Sequence, residues 1–209
     1  MSADVLAVVL AGGRARRMGG VDKGLLRLGE KTLLDAVLDR LAPQAERVVI
    51  NANGDAARFA RWRLPVVADG LPDRPGPLAG VLAGCDWAAM HCPGIGHVVT
   101  VAADTPFFPT DLVVRLEDAR RRANLPIALA ATREGGRIRK HPVFGLWPVA
   151  GRQALRAAVQ VEGVRRILDW TDREGSALEM FDSEGGDPFF NVNCPEDLEV
   201  ARQRCLQMQ

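Results

Sequence analysis

The chain has 209 residues, 47% of them hydrophobic and 25% charged, a globular composition too apolar and too balanced in charge for disorder. Lys and Arg number 27 against 26 Asp and Glu, a formal net charge of +1. This excludes a global field that gathers nucleic acid or anionic membrane, and the absence of Tyr excludes phenol acid–base chemistry.

In chain order, short continuous aliphatic runs predict strands at residues 5–10, 47–51, 65–69, 97–104, 127–131 and 143–147. Apolar at nearly every position rather than at alternate ones, they suit strands buried on both faces of a parallel sheet. Helical spacings of three and four separate them: Leu33, Leu34, Val37, Leu38 and Leu41; Leu78, Val81, Leu82 and Cys85; Leu112, Val113, Leu116 and Ala119. Leu198, Ala201, Cys205 and Leu206 form a last face, with Pro195-Glu196-Asp197 as its start. Strand, glycine turn and helix in alternation predict an open, mostly parallel α/β sheet with helices on both faces. Neither a repeat nor a linker interrupts it, so residues 1–209 are read as one domain. Ligands of such sheets sit beyond the carboxyl ends of the strands, where the strand order reverses.

Cys85, Cys92, Cys194 and Cys205 are scattered without a Cys-x-x-Cys spacing, which fits a reducing cytosol. The N-terminus lacks the basic stretch of a signal peptide, and the apolar run from Val5 to Ala11 is far short of the roughly 20 residues that span a bilayer. A cytoplasmic protein without membrane or nucleic-acid partners is expected.

Residues 10–23 carry the strongest signal. Gly12-Gly13 directly after a strand lets backbone N–H groups approach an anion, and Arg14, Arg16, Arg17 and Lys23 crowd one loop of a nearly neutral chain. Such a cluster suits a polyphosphate. No Gly-Lys-Ser/Thr follows at P-loop spacing, and Gly-x-Gly-x-x-Gly is missing, which disfavours an NAD-dependent reductase. Other loops at the same end hold Asn51-Ala52-Asn53, Asp69, Gly76-Pro77-Leu78-Ala79-Gly80, Asp104-Thr105-Pro106 and Asn191-Val192-Asn193. An aspartate ending a buried strand is also ordinary turn chemistry, so Asp69 and Asp104 carry that plainer reading alongside a functional one. Asn191 and Asn193 either face a ligand or cap the helix that follows. Arg139 and Lys140 read as a solvated hairpin or loop end. Cys85, His91 and Cys92 are too few for a metal site and read as structural, as do the dispersed Trp62, Trp87, Trp147 and Trp170.

Leu10-Ala11-Gly12-Gly13, three residues, Arg17-Met18-Gly19 and Lys23 resemble the signature of nucleotidyltransferases of the sugar-nucleotide pyrophosphorylase superfamily. With Gly19-Gly20-Val21-Asp22-Lys23-Gly24 and the later motifs in order, the chain resembles the molybdenum cofactor guanylyltransferase (MobA-like) family over nearly its whole length. The resemblance implies a fold of the nucleotide-diphospho-sugar transferase type. It also implies transfer of GMP from GTP to the terminal phosphate of molybdopterin, with or without molybdenum, releasing pyrophosphate. By the same resemblance Leu10, Ala11, Gly12, Gly13, Lys23, Asn51, Asp69 and Asp104 bind the nucleotide. Lys23, Asp104 and Arg17 carry the chemistry, and Asp104 holds Mg²⁺. Gly80, Asn191 and Asn193 are assigned to the pterin side. The partners are GTP and molybdopterin, with apo-molybdoenzymes or their chaperones taking the product from a monomer. A cytidylyltransferase or sugar-phosphate nucleotidyltransferase keeps this mechanism with other substrates; a non-catalytic cofactor carrier is the alternative of another class.

Overall fold

The computed structural model describes residues 4–12, 22–71 and 76–207. Its frame is a seven-stranded sheet in the order β5-β4-β1-β6-β8-β7-β9. The strands are β1 (Val5–Leu10), β4 (Arg47–Asn51), β5 (Val66–Val67), β6 (His97–Ala102), β7 (Ile127–Glu134), β8 (Arg137–Pro148) and β9 (Ser176–Phe181). A two-stranded ribbon joins β2 (Arg27–Leu28) and β3 (Lys31–Thr32). The helices are α1 (Leu33–Leu41), α2 (Pro77–His91), α3 (Leu112–Ala123), α4 (Arg152–Gln160), α5 (Ile167–Glu174) and α6 (Pro195–Gln207).

Strands β5, β4, β1 and β6 are mutually parallel, as are β7 and β9; β8 alone runs against its neighbours β6 and β7. The reason β1 is apolar at every position is visible in its neighbours. Val5, Ala7 and Val9 pack into one core with α1 and α3, whereas Leu6 and Val8 pack into a second core with α2, α4 and α5. Both faces are covered, so alternation has no place. A third cluster, built on Leu28, Leu33, Phe107, Val192, Leu198 and Ala201, fastens the ribbon to α6.

Local chemistry sets the boundaries. Helix α1 starts with a capping box: Thr32 accepts from the Asp35 N–H while the Asp35 carboxylate takes the Thr32 N–H at 2.7 Å. Burial alone would raise the Asp35 pKa, but hydrogen bonds from Arg61, Thr32 and Trp62 hold it well below the usual carboxylate range. Helix α3 ends on Asn124 in a left-handed conformation (φ 51°), its last turn carrying Arg120, Arg121 and Arg122 at the negative end of the helix.

The structure departs from the expectations in definite places. The strands predicted at residues 127–131 and 143–147 are longer and form one hairpin, β7–β8, turned by Gly135 and Gly136 at φ 54° and 79°. Arg139 and Lys140 lie on its β8 arm, where Arg139 pairs with Glu134 and Lys140 with Asp172. The predicted strand at residues 65–69 shrinks to two residues, leaving Asp69 in the loop beyond. Helices α4 and α5, strand β9 and the β2–β3 ribbon were not expected. Leu206, assigned to the buried face of α6, is 66% exposed; that face runs from Leu198 through Ala201 to the partly buried Cys205.

Two parallel crossovers leave β1 in opposite directions: the chain runs to β4 and β5 on one side, then returns to β6 on the other. The order therefore reverses between β1 and β6, and the crevice expected of an open α/β sheet opens over their carboxyl ends.

Candidate functional site

A cleft of about 710 Å³ occupies that position. Leu10, Ala11 and Gly12 form its floor, Ala102 and Asp104 border it on the β6 side, and Asn51, Asn53, Arg58 and Asp69 on the β4–β5 side. The Ala11 N–H is spent on the Asn51 carbonyl at 2.9 Å, which prolongs the β1–β4 pairing, while Gly12 is exposed.

On the β6 side, the Lys23 ammonium donates to Asp104 Oδ2 at 3.0 Å and to Asn193 Oδ1 at 2.6 Å. Three segments far apart in sequence thus meet at one nitrogen. An ammonium has three donors, and these contacts use two of them. The Asp104 carbonyl accepts the Val192 N–H at 2.9 Å, so the loop carrying Asn191 and Asn193 is tied to Asp104 through its backbone as well. Val192 is fully buried between the two asparagines, which turns its neighbours outward. Asn191 lines the cleft. Asn193 does not cap α6 with its side chain; that end is closed by the Asp197 carboxylate, which accepts the N–H groups of Asn193 at 2.8 Å and Cys194 at 3.1 Å. Those amides, Asn193 first, hold the Asp197 carboxyl below its ordinary range.

On the β5 side, two amides orient the Asp69 carboxylate. Asn51 Nδ2 donates to Oδ1 at 2.9 Å and Asn53 Nδ2 to Oδ2 at 2.7 Å, while Asn53 Oδ1 accepts the Asp69 N–H at 3.0 Å. Each carboxylate oxygen keeps a further acceptor direction for a ligand. Asn51 Nδ2 also donates to the Val67 carbonyl at 3.1 Å, which fixes that side chain from two sides.

Gly80 has a different place from the one expected. A Cβ there would lie 2.5 Å from Asn51 Oδ1 and 2.7 Å from Leu10 Cδ2. Its missing side chain makes room beneath the floor for Asn51 and Leu10, not for a ligand above it. The glycine of that motif on the cleft wall is Gly76, at φ 96°, which turns the chain into Pro77 at the first position of α2. Arg17 and Gly13 lie outside the described residues.

Asn53, Arg58 and Gly76 line the cleft without having been singled out as site residues. Asn53 and Gly76 stand in motifs quoted from the sequence; Arg58 follows in an irregular stretch with no pattern of its own. The plainer readings hold elsewhere. Cys85 is buried in α2, and burial pushes its thiol up to about 12, which removes a thiolate. All four cysteines are free, and among the described residues no group of three His, Cys, Asp or Glu side chains is placed to hold a metal. No helix among them is long and apolar enough to cross a membrane.

The model of the MobA-like NTP transferase domain matches residues 7–176. The chain belongs to this family. Family members of known name are similar over nearly their full length. A Bradyrhizobium sp. (strain ORS 278) protein named molybdenum cofactor guanylyltransferase is 49% identical over 95% of this chain and 92% of its own. One of the same name from Mesorhizobium japonicum is 47% identical over 99% and 98%. Among solved structures, molybdopterin-guanine dinucleotide biosynthesis protein A from Archaeoglobus fulgidus superposes with a TM-score of 0.74 at 24% identity, covering 98% of this chain and 100% of that one, a likeness of fold. The open, mostly parallel α/β architecture is therefore that of the MobA-like transferases.

Proposed function

We propose that the chain is a molybdenum cofactor guanylyltransferase: it joins GTP and molybdopterin, forming molybdopterin guanine dinucleotide and releasing pyrophosphate. The observation that carries this reading is the meeting of Lys23, at 3.0 Å, with Asp104, which lines the cleft at the reversal of strand order. The names of relatives at 47–49% identity support the choice of substrates.

In this reaction the terminal phosphate of the pterin attacks the α-phosphorus of GTP in line, and pyrophosphate leaves. A phosphomonoester has a second pKa of about 6, so the nucleophile is already ionised at neutral pH and no general base is required. The protein's task is to hold two anions together and offset charge moving onto the leaving group. Lys23, with one donor direction unused among the described residues, is suited to the β- and γ-phosphates and is held in line by Asp104 and Asn193. Gly12, exposed on the floor, lets the phosphate chain approach the backbone. Arg17 is assigned a supporting charge on the same phosphates. The Asp69 carboxylate, oriented by Asn51 and Asn53, can accept both N1–H and the exocyclic amine of guanine, a donor pair that adenine and cytosine do not present. Asn191, which lines the cleft, and Asn193, hydrogen-bonded to Lys23, are assigned to the pterin side.

The donor set also fits Mg²⁺. Asp104 Oδ2 is engaged by Lys23, whereas Oδ1 has, among the described residues, only the Thr105 hydroxyl at 3.5 Å, and magnesium commonly binds through one or two carboxylates with substrate phosphates completing its shell. Held there, Mg²⁺ would supply Lewis-acid neutralisation of the phosphate oxygens. The reaction uses soluble substrates, in keeping with a cytoplasmic enzyme.

The test is pyrophosphate release with molybdopterin and GTP, CTP or ATP offered in parallel. Release with GTP alone is expected. Release with CTP instead would assign the chain to the cytidine branch, and binding without release from any triphosphate would make it a carrier.

A further inference from the structure

Asp22 and Lys23, adjacent in the chain, are anchored in opposite directions. Lys23 reaches across to β6 through Asp104, while the Asp22 carboxylate forms an ion pair with Arg58, in the segment after β4. Arg58 does more than neutralise Asp22. Its Nη2 donates to the Asn53 carbonyl at 2.8 Å, its Nη1 donates to the Asp55 carbonyl, and its guanidinium lies 4.7 Å over the Phe59 ring. Phe59 is 1% exposed, so the cation rests on a fixed platform. The side-chain amide of Asn53 grips Asp69 at both its carboxylate and its backbone N–H. One guanidinium therefore connects the residue preceding Lys23 with the residue that orients Asp69.

From this geometry we infer that Arg58 is a positioning residue that couples the phosphate-holding and base-reading halves of the nucleotide site. The inference rests on the nucleotide reading of the cleft. Its two arms are chemically distinct. The Asp22 arm needs only a positive charge at the right reach, whereas the Asn53 arm needs a second donor in the plane of the first, which Arg has and Lys lacks. An Arg58→Lys variant thus keeps the first arm and loses the second.

The test titrates the full-length protein calorimetrically with GTP, with GMP as a base-side probe and with inorganic triphosphate as a phosphate-side probe. Arg58→Gln is expected to weaken both fragments about tenfold, as coupled neighbours in one network do. Asp22→Asn is expected to weaken triphosphate alone, and Asn53→Ala to weaken GMP alone. Arg58→Lys should restore triphosphate binding and leave GMP weak. A residue that merely stabilises the loop would shift the melting temperature and lower all ligands together, with no separation between Arg58→Gln and Arg58→Lys; that outcome overturns the inference. So does unchanged binding of both fragments to Arg58→Gln while wild type binds GTP. Failure of the wild-type protein to bind GTP overturns the function proposed for the cleft and Arg58's role with it.

Discussion

Replacing Gly80 with Ala probes the cleft from beneath. The added Cβ would sit 2.5 Å from Asn51 Oδ1 and 2.7 Å from Leu10 Cδ2, closer than packed atoms tolerate. Leu10 has a flexible end, but Asn51 does not: its Nδ2 is held by the Val67 carbonyl and by Asp69. With Asn51 held, the overpacking cost lies in the upper part of its usual range, about 2–3 kcal/mol, of which about 1 kcal/mol is offset by the better helix propensity of Ala. A net loss of about 1–2 kcal/mol corresponds to a fall in melting temperature of roughly 2–8 °C for a chain of this size. The displaced Asn51 also releases Asp69, so GTP affinity should fall about tenfold, the worth of one hydrogen bond to a charged group. Gly84→Ala supplies the control. Its Cβ would meet Val8 Cγ2 at 2.6 Å in the same helix, away from Asn51. It should destabilise to a similar extent with GTP affinity intact. Thermal unfolding and GTP calorimetry on both variants decide the matter. Equal loss of GTP affinity in both, or none in Gly80→Ala, would refute the link from Gly80 through Asn51 to Asp69.

Asp69→Asn should reduce the preference for GTP over other triphosphates by about ten- to hundredfold, read as competing turnover rates; an unchanged preference removes Asp69 from base recognition. Asp104→Ala should abolish Mg²⁺-dependent pyrophosphate release while the protein still melts cooperatively near the wild-type temperature, and near-normal turnover would end its assignment to the metal. A third expectation concerns acid stability. His141 is buried against Phe189 and hydrogen-bonded to Thr132, and burial, opposed by the carboxylates of Asp187 and Glu134 and helped by Arg139, lowers its pKa to about 4 from 6.5. The unfolded chain takes up this proton first, so the contribution is whole above pH 6.5 and is lost as pH falls toward 4, about 3 kcal/mol at most. His141→Gln should flatten stability against pH across that window, and an unaltered slope would show that other groups set it.

Much of this could be read in the sequence because the parallel strands are buried on both faces. Runs such as Val5-Leu6-Ala7-Val8-Val9 have no use except in a covered sheet, and the residues ending those runs fall at one edge by topology alone. Residues Asn51, Asp69 and Asp104 were legible for that reason, and Lys23 from the cationic glycine loop that follows β1. The β7–β8 hairpin was half legible: its arms continue past the buried stretches as Arg133-Glu134 and Arg137-Ile138-Arg139, exposed because they rise beyond the covered sheet. Strand β9 lies at the sheet edge with Ser176, Glu179 and Met180 partly exposed, which hides its period. Gly80 illustrates a different limit. A glycine beside a ligand motif suggests close approach, but whether a ligand or a neighbouring side chain fills the space depends on what folds beneath it. Arg58 had no pattern to announce it, since its partners come from two loops that only the fold brings together.

A crystal structure with GTP and Mg²⁺ tests the central claim most directly. The account predicts the triphosphate between Gly12 and Lys23, the ion on Asp104, and the guanine edge on the Asp69 carboxylate. A triphosphate bound away from Lys23 and Asp104, or a purine turned away from Asp69, would contradict it.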